Sequence, residues 1–429
     1  MQTRLADFIR DTPEGREAES ILRACVHCGF CTATCPTYQL VGDELDGPRG
    51  RIYLVKQVLE GGTATVKTRE HLDRCLTCRS CETTCPSGVR YGRLADIGRA
   101  VVEEQVPRTG RDRMLRLALR TVLPRPGLFG PLLKVARALR PLLPAALAER
   151  VPSSRPARPR PAARHARRML LLEGCVQPSL APGINAAAAR VLDRLGVSLV
   201  PAASAGCCGA VTHHLNAHAD ALDQMRRNID AWWPAIEAGA EAVVVTASGC
   251  TAMVREYGAL LSGDPAYAQR AARVTALSRD LSEVVEAELS RPGAPRPSPP
   301  APDGSRVAFQ APCTLQHALR LRGRVETLLA GLGFELSEVP DAHLCCGSAG
   351  TYSLLQPALS RQLRTQKVEA LRSGRPRSIL TANIGCLGHL QSGCDLPVEH
   401  WIEAVDRLWP DVNDGPDAGG ALGQGRKLQ

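Results

Sequence analysis

Residues 25–36 and 75–86 both read Cys-x2-Cys-x2-Cys-x3-Cys-Pro, and a twelve-residue pattern written twice leaves few folds open. Three thiolates at this spacing wrap a [4Fe–4S] cube corner by corner, with backbone N–H groups pointing at the sulfurs. The fourth cysteine of such a run ligates the other cluster. One cluster is therefore expected on Cys25, Cys28, Cys31 and Cys85, and a second on Cys75, Cys78, Cys81 and Cys35. Pro36 and Pro86 turn the chain away after the fourth ligand. The alternative is zinc, but an all-cysteine zinc site uses two separated Cys-x2-Cys pairs rather than this complete run. His27, inside the first motif, reads as a spacer or a hydrogen-bond donor to the cluster. Two clusters in one small helical domain make a wire for electrons, which needs no substrate pocket of its own.

Cysteine usage extends the argument. The chain has 17 cysteines, and residues 1–20 are polar and charged without a secretory leader. In a reducing cytosol so many thiols point to metal binding or redox chemistry rather than disulfides. No apolar run reaches the length of a membrane span. At 429 residues, two or three domains are expected. Apolar residues make up 44% and aromatics only 3%, so the core must be built mainly from Ala, Leu and Val.

Residues 169–410 contain an internal repeat. The first half carries Cys175, then Cys207 and Cys208 before Gly209, then Cys250. The second carries Cys313, then Cys345 and Cys346 before Gly347, then Cys386. The first gap is 32 residues in both halves, and the second is 42 and 40, which argues for duplication. Each half alternates strand and helix: strands at 169–173, 197–200 and 242–246 with a long helix around 214–238, then strands at 306–310, 334–339 and 378–382 with helices at 315–332 and 357–373. Such alternation predicts a parallel sheet covered by helices. Every one of these cysteines then falls just past a strand's C-terminal end, where open α/β sheets carry their sites. The four in each half are candidates for a further iron–sulfur cluster, for zinc, for a redox-active dithiol, or for inert buried thiols. Cys394 fits no pattern and reads as structural.

The expected class is therefore α+β. A mainly helical two-cluster ferredoxin-like domain spans 1–105. A basic helical segment and a Pro/Arg linker span 106–168, and Cys-Cys-Gly repeats of parallel-sheet α/β type span 169–290 and 304–410. Residues 411–429 are expected to form a disordered tail. Positive charge is local: residues 108–168 hold 16 Arg and Lys against 2 acids, and the remainder holds 37 against 41. That distribution excludes a protein-wide nucleic-acid-binding surface. Pro124, Pro126, Pro131, Pro141 and Pro144 should cut residues 108–150 into short helices, while 151–168 reads as an exposed linker. Arg113, Arg116, Arg120, Arg137 and Arg140 among leucines suit either solvated surface helices or a dock on anionic lipid or an acidic partner.

With these residues in view, the chain resembles the iron–sulfur subunits of glycolate oxidase, also called glycolate dehydrogenase, from about residue 15 to 410. The stretches Ala24–Cys31, Asp43–Gly50, His71–Cys75 and Cys81–Cys85 carry the likeness, with Ala205–Gly209, Asn228–Trp233 and His343–Thr351 in the repeat. The wider group includes lactate-utilisation proteins, glycerol-3-phosphate dehydrogenase subunits and heterodisulfide-reductase-like subunits. In some of these the repeat ends in Cys-x-x-Cys; here Cys250 and Cys386 have no such partner, so non-cubane clusters are not carried over. The resemblance implies an electron-transfer chain. It would serve a separate FAD-binding catalytic subunit that oxidises glycolate to glyoxylate, alongside a flavin-type companion subunit. Electrons would pass toward a quinone or another acceptor, in the cytoplasm and with peripheral contact at the inner face of the cell membrane. The alternatives are the same role toward lactate or glycerol 3-phosphate, or a thiol/disulfide enzyme acting at the Cys-Cys-Gly sites. No flavin fingerprint or Ser/His/Asp arrangement appears in the sequence.

Overall fold

Proline sets the beginnings of the N-terminal helices. Pro13, Pro36 and Pro48 open the helices Pro13–Ala24, Pro36–Val41 and Pro48–Leu59, where a missing N–H costs nothing. Thr12 caps the first, and a Thr65/Thr68 capping box starts Val66–Asp73. These helices and the longer Tyr91–Gln105 bury Leu22, Val55, Leu59, Leu72 and Leu94 in one small core. Gly98 permits a close crossing with Pro48–Leu59, because a Cβ there would lie 2.4 Å from a Val55 methyl. The computed structural model describes residues 1–144 and 151–409, so the expected tail and the end of the basic segment lie outside the described residues.

The C-terminal region contains two four-stranded parallel sheets of identical topology. The strands are β1 (Arg168–Leu172), β2 (Ser198–Pro201), β3 (Val243–Val245), β4 (Ser278–Asp280), β5 (Arg306–Gln310), β6 (Glu335–Leu336), β7 (Ser378–Thr381) and β8 (Val398–His400). The orders are β2-β1-β3-β4 and β6-β5-β7-β8, so the duplication seen in the cysteines is also present in the fold. Leu170, Leu172, Val243 and Val245 face one helical layer, while Met169 and Val244 face a core that both repeats share. This double burial explains the continuous apolar strands. The repeats also meet through hydrogen bonds: Ser248 N donates to Ala382 O at 3.1 Å, and His400 Nε2 lies 2.9 Å from Thr246 O.

Several expectations change in detail. The strands β4 and β8 were not anticipated, being three residues each and partly polar. The helix expected at 315–332 is broken: a wide turn over Thr314–Ala318 precedes Arg324–Gly331, with Arg320 and Gly323 at positive φ between them. The helix around 214–238 divides into Ala210–His214 and His218–Glu237 at Asn216, also at positive φ. Pro131 sits inside the helix Pro126–Leu139 instead of ending it, and Gly110–Val122 precedes it.

The segment expected as an exposed linker is a strap tied down by arginines. Arg164 pairs with Asp193 at 2.6 Å, Arg167 with Glu241 and Glu288 at 2.6 and 2.7 Å, and Arg158 with Asp406 at 2.5 Å. Part of the local positive charge is therefore neutralised inside the chain. Asp406, on the last helix of the second repeat, is 2% exposed and also binds Arg190 and Arg194 of the first repeat at 2.6 and 3.1 Å. Asp406→Asn leaves these guanidiniums without their buried counter-charge. It should destabilise the paired repeats by about 3–5 kcal/mol, measured as a lowered denaturation midpoint.

Candidate metal centres

The two cysteine motifs form matching loops. His27 and Gly29 in the first, and Thr77 and Arg79 in the second, occupy equivalent positions and all have positive φ. Left-handed backbone at a non-glycine residue costs about 1–2 kcal/mol, so three such residues mark a conformation held for a purpose. It turns amides inward: Thr77 N lies 3.4 Å from Cys75 Sγ.

Each loop lines its own cavity. The first is lined by Cys25, Cys28, Cys31 and Cys85. The second is lined by Cys35, Cys75 and Cys78. Cys81 and Tyr91 reach both. The fourth cysteine of each motif thus faces the cavity formed by the other motif. His27 Nε2 is buried beside the first cavity with no hydrogen-bond partner, as expected of a donor aimed at a bound group. Among the described residues, the sets of three ligand atoms within 4.8 Å of one another contain no cysteine. Sulfurs around one zinc ion would stand about 3.8 Å apart, so these thiols are spread for something larger.

The electrostatics also fit a cationic core. Burial, reinforced by neighbouring thiols, raises Cys78 and Cys81 well above the usual thiol range and pushes Cys31 up to about 11. Cys75 is the exception: burial would raise it, but the Arg51 and Arg99 guanidiniums bring it below the ordinary value. Thiols so crowded ionise together only around metal, which deprotonates them outright. Arg51 donates to His71 O at 2.7 Å and meets Asp46, a fully buried carboxylate that also takes Arg74 at 2.8 Å and His71 at 3.0 Å. Arg99 pins the second loop through Leu72 O, Cys75 O and Thr77 Oγ1.

In the repeats, the four cysteines of each half converge. Thiol contacts run Cys175 to Cys207, Cys207 to Cys208 and Cys208 to Cys250. In the second half they run Cys313 to Cys345 at 3.9 Å, Cys345 to Cys346 and Cys346 to Cys386. The thiols of Cys175 and Cys208 hold Cys207 well below its usual range, with Arg227 adding to the effect. Cys313 lies well above its range through its contact with Cys345 and burial; in Cys345 and Cys346 one thiol contact lowers the value, but a second contact and burial outweigh it and both lie well above theirs. Cys394 stands apart, near Asp395.

The second cavity abuts the second repeat. Cys78 and Leu76 pack against Cys345, Tyr352 and Leu363. His317 bonds Thr83 Oγ1 at 2.9 Å and His343 O at 3.1 Å, and the Tyr352 hydroxyl donates to Arg74 O at 3.2 Å. Sequence reasoning missed Arg51, Arg99, His317 and Tyr352. The only signal was the stretch Asp43–Gly50, noted for its resemblance and not for the buried Asp46 it contains.

Fold and donor sets together define an iron–sulfur protein: a dicluster unit joined to a duplicated cysteine-rich region. The 4Fe-4S dicluster domain matches residues 21–89, and the cysteine-rich domain matches 169–255 and 307–391. The glycolate oxidase iron-sulfur subunit of Escherichia coli (strain K12) is 59% identical over 408 residues, covering 95% of this chain and 99% of that protein. A probable glycolate oxidase iron-sulfur subunit of Bacillus subtilis (strain 168) is 29% identical over 89% of this chain and 90% of its own. Lactate utilization protein A of Geobacillus thermodenitrificans (strain NG80-2) is 29% identical but covers 48% of this chain and 82% of its own. The chain belongs to the family of glycolate oxidase iron–sulfur subunits.

Arg99→Gln removes a positive charge beside Cys75. The added electron then loses a counter-charge, so the reduction potential of the centre in the second cavity should fall by on the order of tens of millivolts, read by EPR-monitored titration.

Proposed function

We propose that this chain carries electrons for a glycolate-oxidising complex. A partner FAD-binding subunit, with a flavin-type companion, converts glycolate to glyoxylate, and the electrons leave through this chain toward a quinone or another acceptor. The observation that carries the reading is the run of thiols from an exposed edge to a buried interior. Cys28 is exposed at the first cavity, flanked by Val26 at 67% and Phe30 at 61% exposure. Cys78 at the second cavity is buried against Cys345 of the second repeat. The exposed edge gives a partner a place to dock, and the apolar packing at the interior keeps water out.

Cys25, Cys28, Cys31 and Cys85 would hold one [4Fe–4S] cluster, and Cys75, Cys78, Cys81 and Cys35 the other. When bound, such clusters take up and release single electrons. The loop amides, His27 and the Arg51–Arg99 pair would hold and tune them. The tetrads Cys175, Cys207, Cys208, Cys250 and Cys313, Cys345, Cys346, Cys386 would hold further metal as an iron–sulfur cluster, since among the described residues no set of ligand atoms as close as one zinc ion requires contains a cysteine. Cys207, Cys208, Cys345 and Cys346 are each 4% exposed or less, so a bulky disulfide substrate has no route to them.

No described helix is long and apolar enough to cross a membrane. The helices Gly110–Val122 and Pro126–Leu139 expose Met114, Leu132, Val135 and Leu139 beside their arginines. We assign them peripheral contact with anionic lipid at the cytoplasmic face.

Two measurements test this reading. Anaerobic iron analysis with EPR should give about eight irons per chain from the ferredoxin-type motifs, and about twelve or more if the tetrads add a cluster. Cys35→Ser should then remove the same EPR signal as Cys78→Ser, and Cys85→Ser the same as Cys28→Ser. In the second assay, the isolated chain should not oxidise glycolate, while the reconstituted complex should reduce its acceptor and lose that ability with Cys78→Ser. Glycolate turnover by the chain alone would overturn the proposal. For the lipid face, Leu132→Asp with Val135→Asp should abolish salt-sensitive co-sedimentation with anionic vesicles; wild-type chain that stays in solution would refute it.

A further inference from the structure

A cluster of nitrogen and oxygen donors lies outside the thiol sites, where the ferredoxin-like unit meets the first repeat. Asp96, on the helix Tyr91–Gln105, is 4% exposed. His213 and His214 come from the short helix Ala210–His214, just past the Cys207–Cys208 pair. One ligand atom from each of these three residues lies within 4.8 Å of the others. His218 opens the next helix, with its ring edge-on to that of His213 at 4.6 Å between centroids. Its Nε2 is buried and has no hydrogen-bond partner.

The contacts are long for a hydrogen-bonded ion pair. His213 Nε2 stands 3.4 Å from Asp96 Oδ2, and His214 Nδ1 stands 3.8 Å from Asp96 Oδ1. Good N–H···O bonds are about 2.7–3.2 Å. Donors around a tetrahedral ion with bonds of about 2.0–2.1 Å stand about 3.3–3.4 Å apart. The nearest guanidiniums already have carboxylates: Arg93 holds Glu17 at 2.9 Å, and Arg79 holds Glu256. A buried carboxylate with long contacts to two imidazoles, and a third imidazole with an unbonded nitrogen, is a donor set short of its cation.

We propose that Asp96, His213 and His214 bind a zinc-class divalent cation, and that the ion staples the ferredoxin-like unit to the first repeat. Imidazole and carboxylate suit zinc, whereas the nearby thiol tetrad suits iron–sulfur chemistry, so the two sites are chemically distinct. The ion would join Asp96 to residues 117 and 118 positions further along the chain, across a boundary that Asn216 also bridges by donating to Glu103 at 2.6 Å.

The test uses the anaerobic holoprotein, desalted after exposure to micromolar zinc chloride. Elemental analysis should find about one zinc per chain that Asp96→Asn and His213→Gln each remove, with iron, sulfide and cluster EPR unchanged. The zinc absorption edge should show nitrogen and oxygen neighbours at about 2.0–2.1 Å, not sulfur at about 2.3 Å. Zinc retained in both variants, a sulfur shell, or no zinc uptake by the wild type would each overturn the proposal. If the buried variants lose their clusters through misfolding, His214→Gln decides, because that side chain is 39% exposed and its loss leaves the packing intact. Zinc kept by that variant at wild-type occupancy and affinity counts against the site.

Discussion

Burying many ionisable thiols side by side is the constraint on which the rest of this structure depends. In the second cavity Cys78 and Cys81 are held far up by burial and by neighbouring thiols, and Cys75 is brought down by Arg51 and Arg99. Arg51 is itself buried, and it then needs Asp46. Asp46 in turn gathers His71 and Arg74. Charge is therefore organised outward in shells from the sulfur atoms. A buried ion pair is weak as a source of stability, and its value here is positional. It fixes helices Pro48–Leu59 and Val66–Asp73 against the loop that presents Cys75.

Duplication supplies the second half of the design, and divergence makes the copies unequal. Both sheets have the same order, and both carry cysteines past their strand ends. Their surroundings differ. Arg227 helps hold Cys207 down, whereas the cation near Cys345 and Cys346 is Lys367, which is buried and donates to Asp341 O at 2.8 Å. The copies also meet the ferredoxin-like unit differently. The second touches it with thiols and apolar groups, through Cys345 against Cys78, and with hydrogen bonds from His317 and Tyr352 that involve no carboxylate. The first touches it with charge and imidazole, through Glu256 to Arg79 and His213 to Asp96.

What could be read from the sequence was what depends on spacing. Cysteine intervals pointed to the paired loops and the repeat, and apolar runs located the central strands. What could not be read depends on contacts between distant residues. The strand β4 is Ser278–Asp280, with nothing in its composition to distinguish it from a loop; only Val243–Val245 beside it makes it a strand. His317 and Tyr352 bond partners 234 and 278 positions away. The strap over 151–168 looked like a solvated linker because its arginines were counted without the carboxylates that receive them. Asp193, Glu241, Glu288 and Asp406 all lie further along the chain.

These differences bear on the direction of electron flow. Transfer between centres favours a dry, rigid gap, since fixed surroundings reorganise little when charge moves. The Cys78–Cys345 contact has that character, being walled by Leu76, Tyr352 and Leu363. The approach from the first repeat is lined instead with polar and charged groups, Arg79 with Glu256 and His213 with Asp96, which must reorganise more when charge moves. On the proposed reading, electrons would enter or leave at the exposed Cys28 edge and run inward to the second repeat. The first repeat would then hold the ferredoxin-like unit in register while its twin shares the conducting path. A duplicated fold can serve both purposes because the thiols are inherited in pairs, whereas the groups facing the ferredoxin-like unit are free to change.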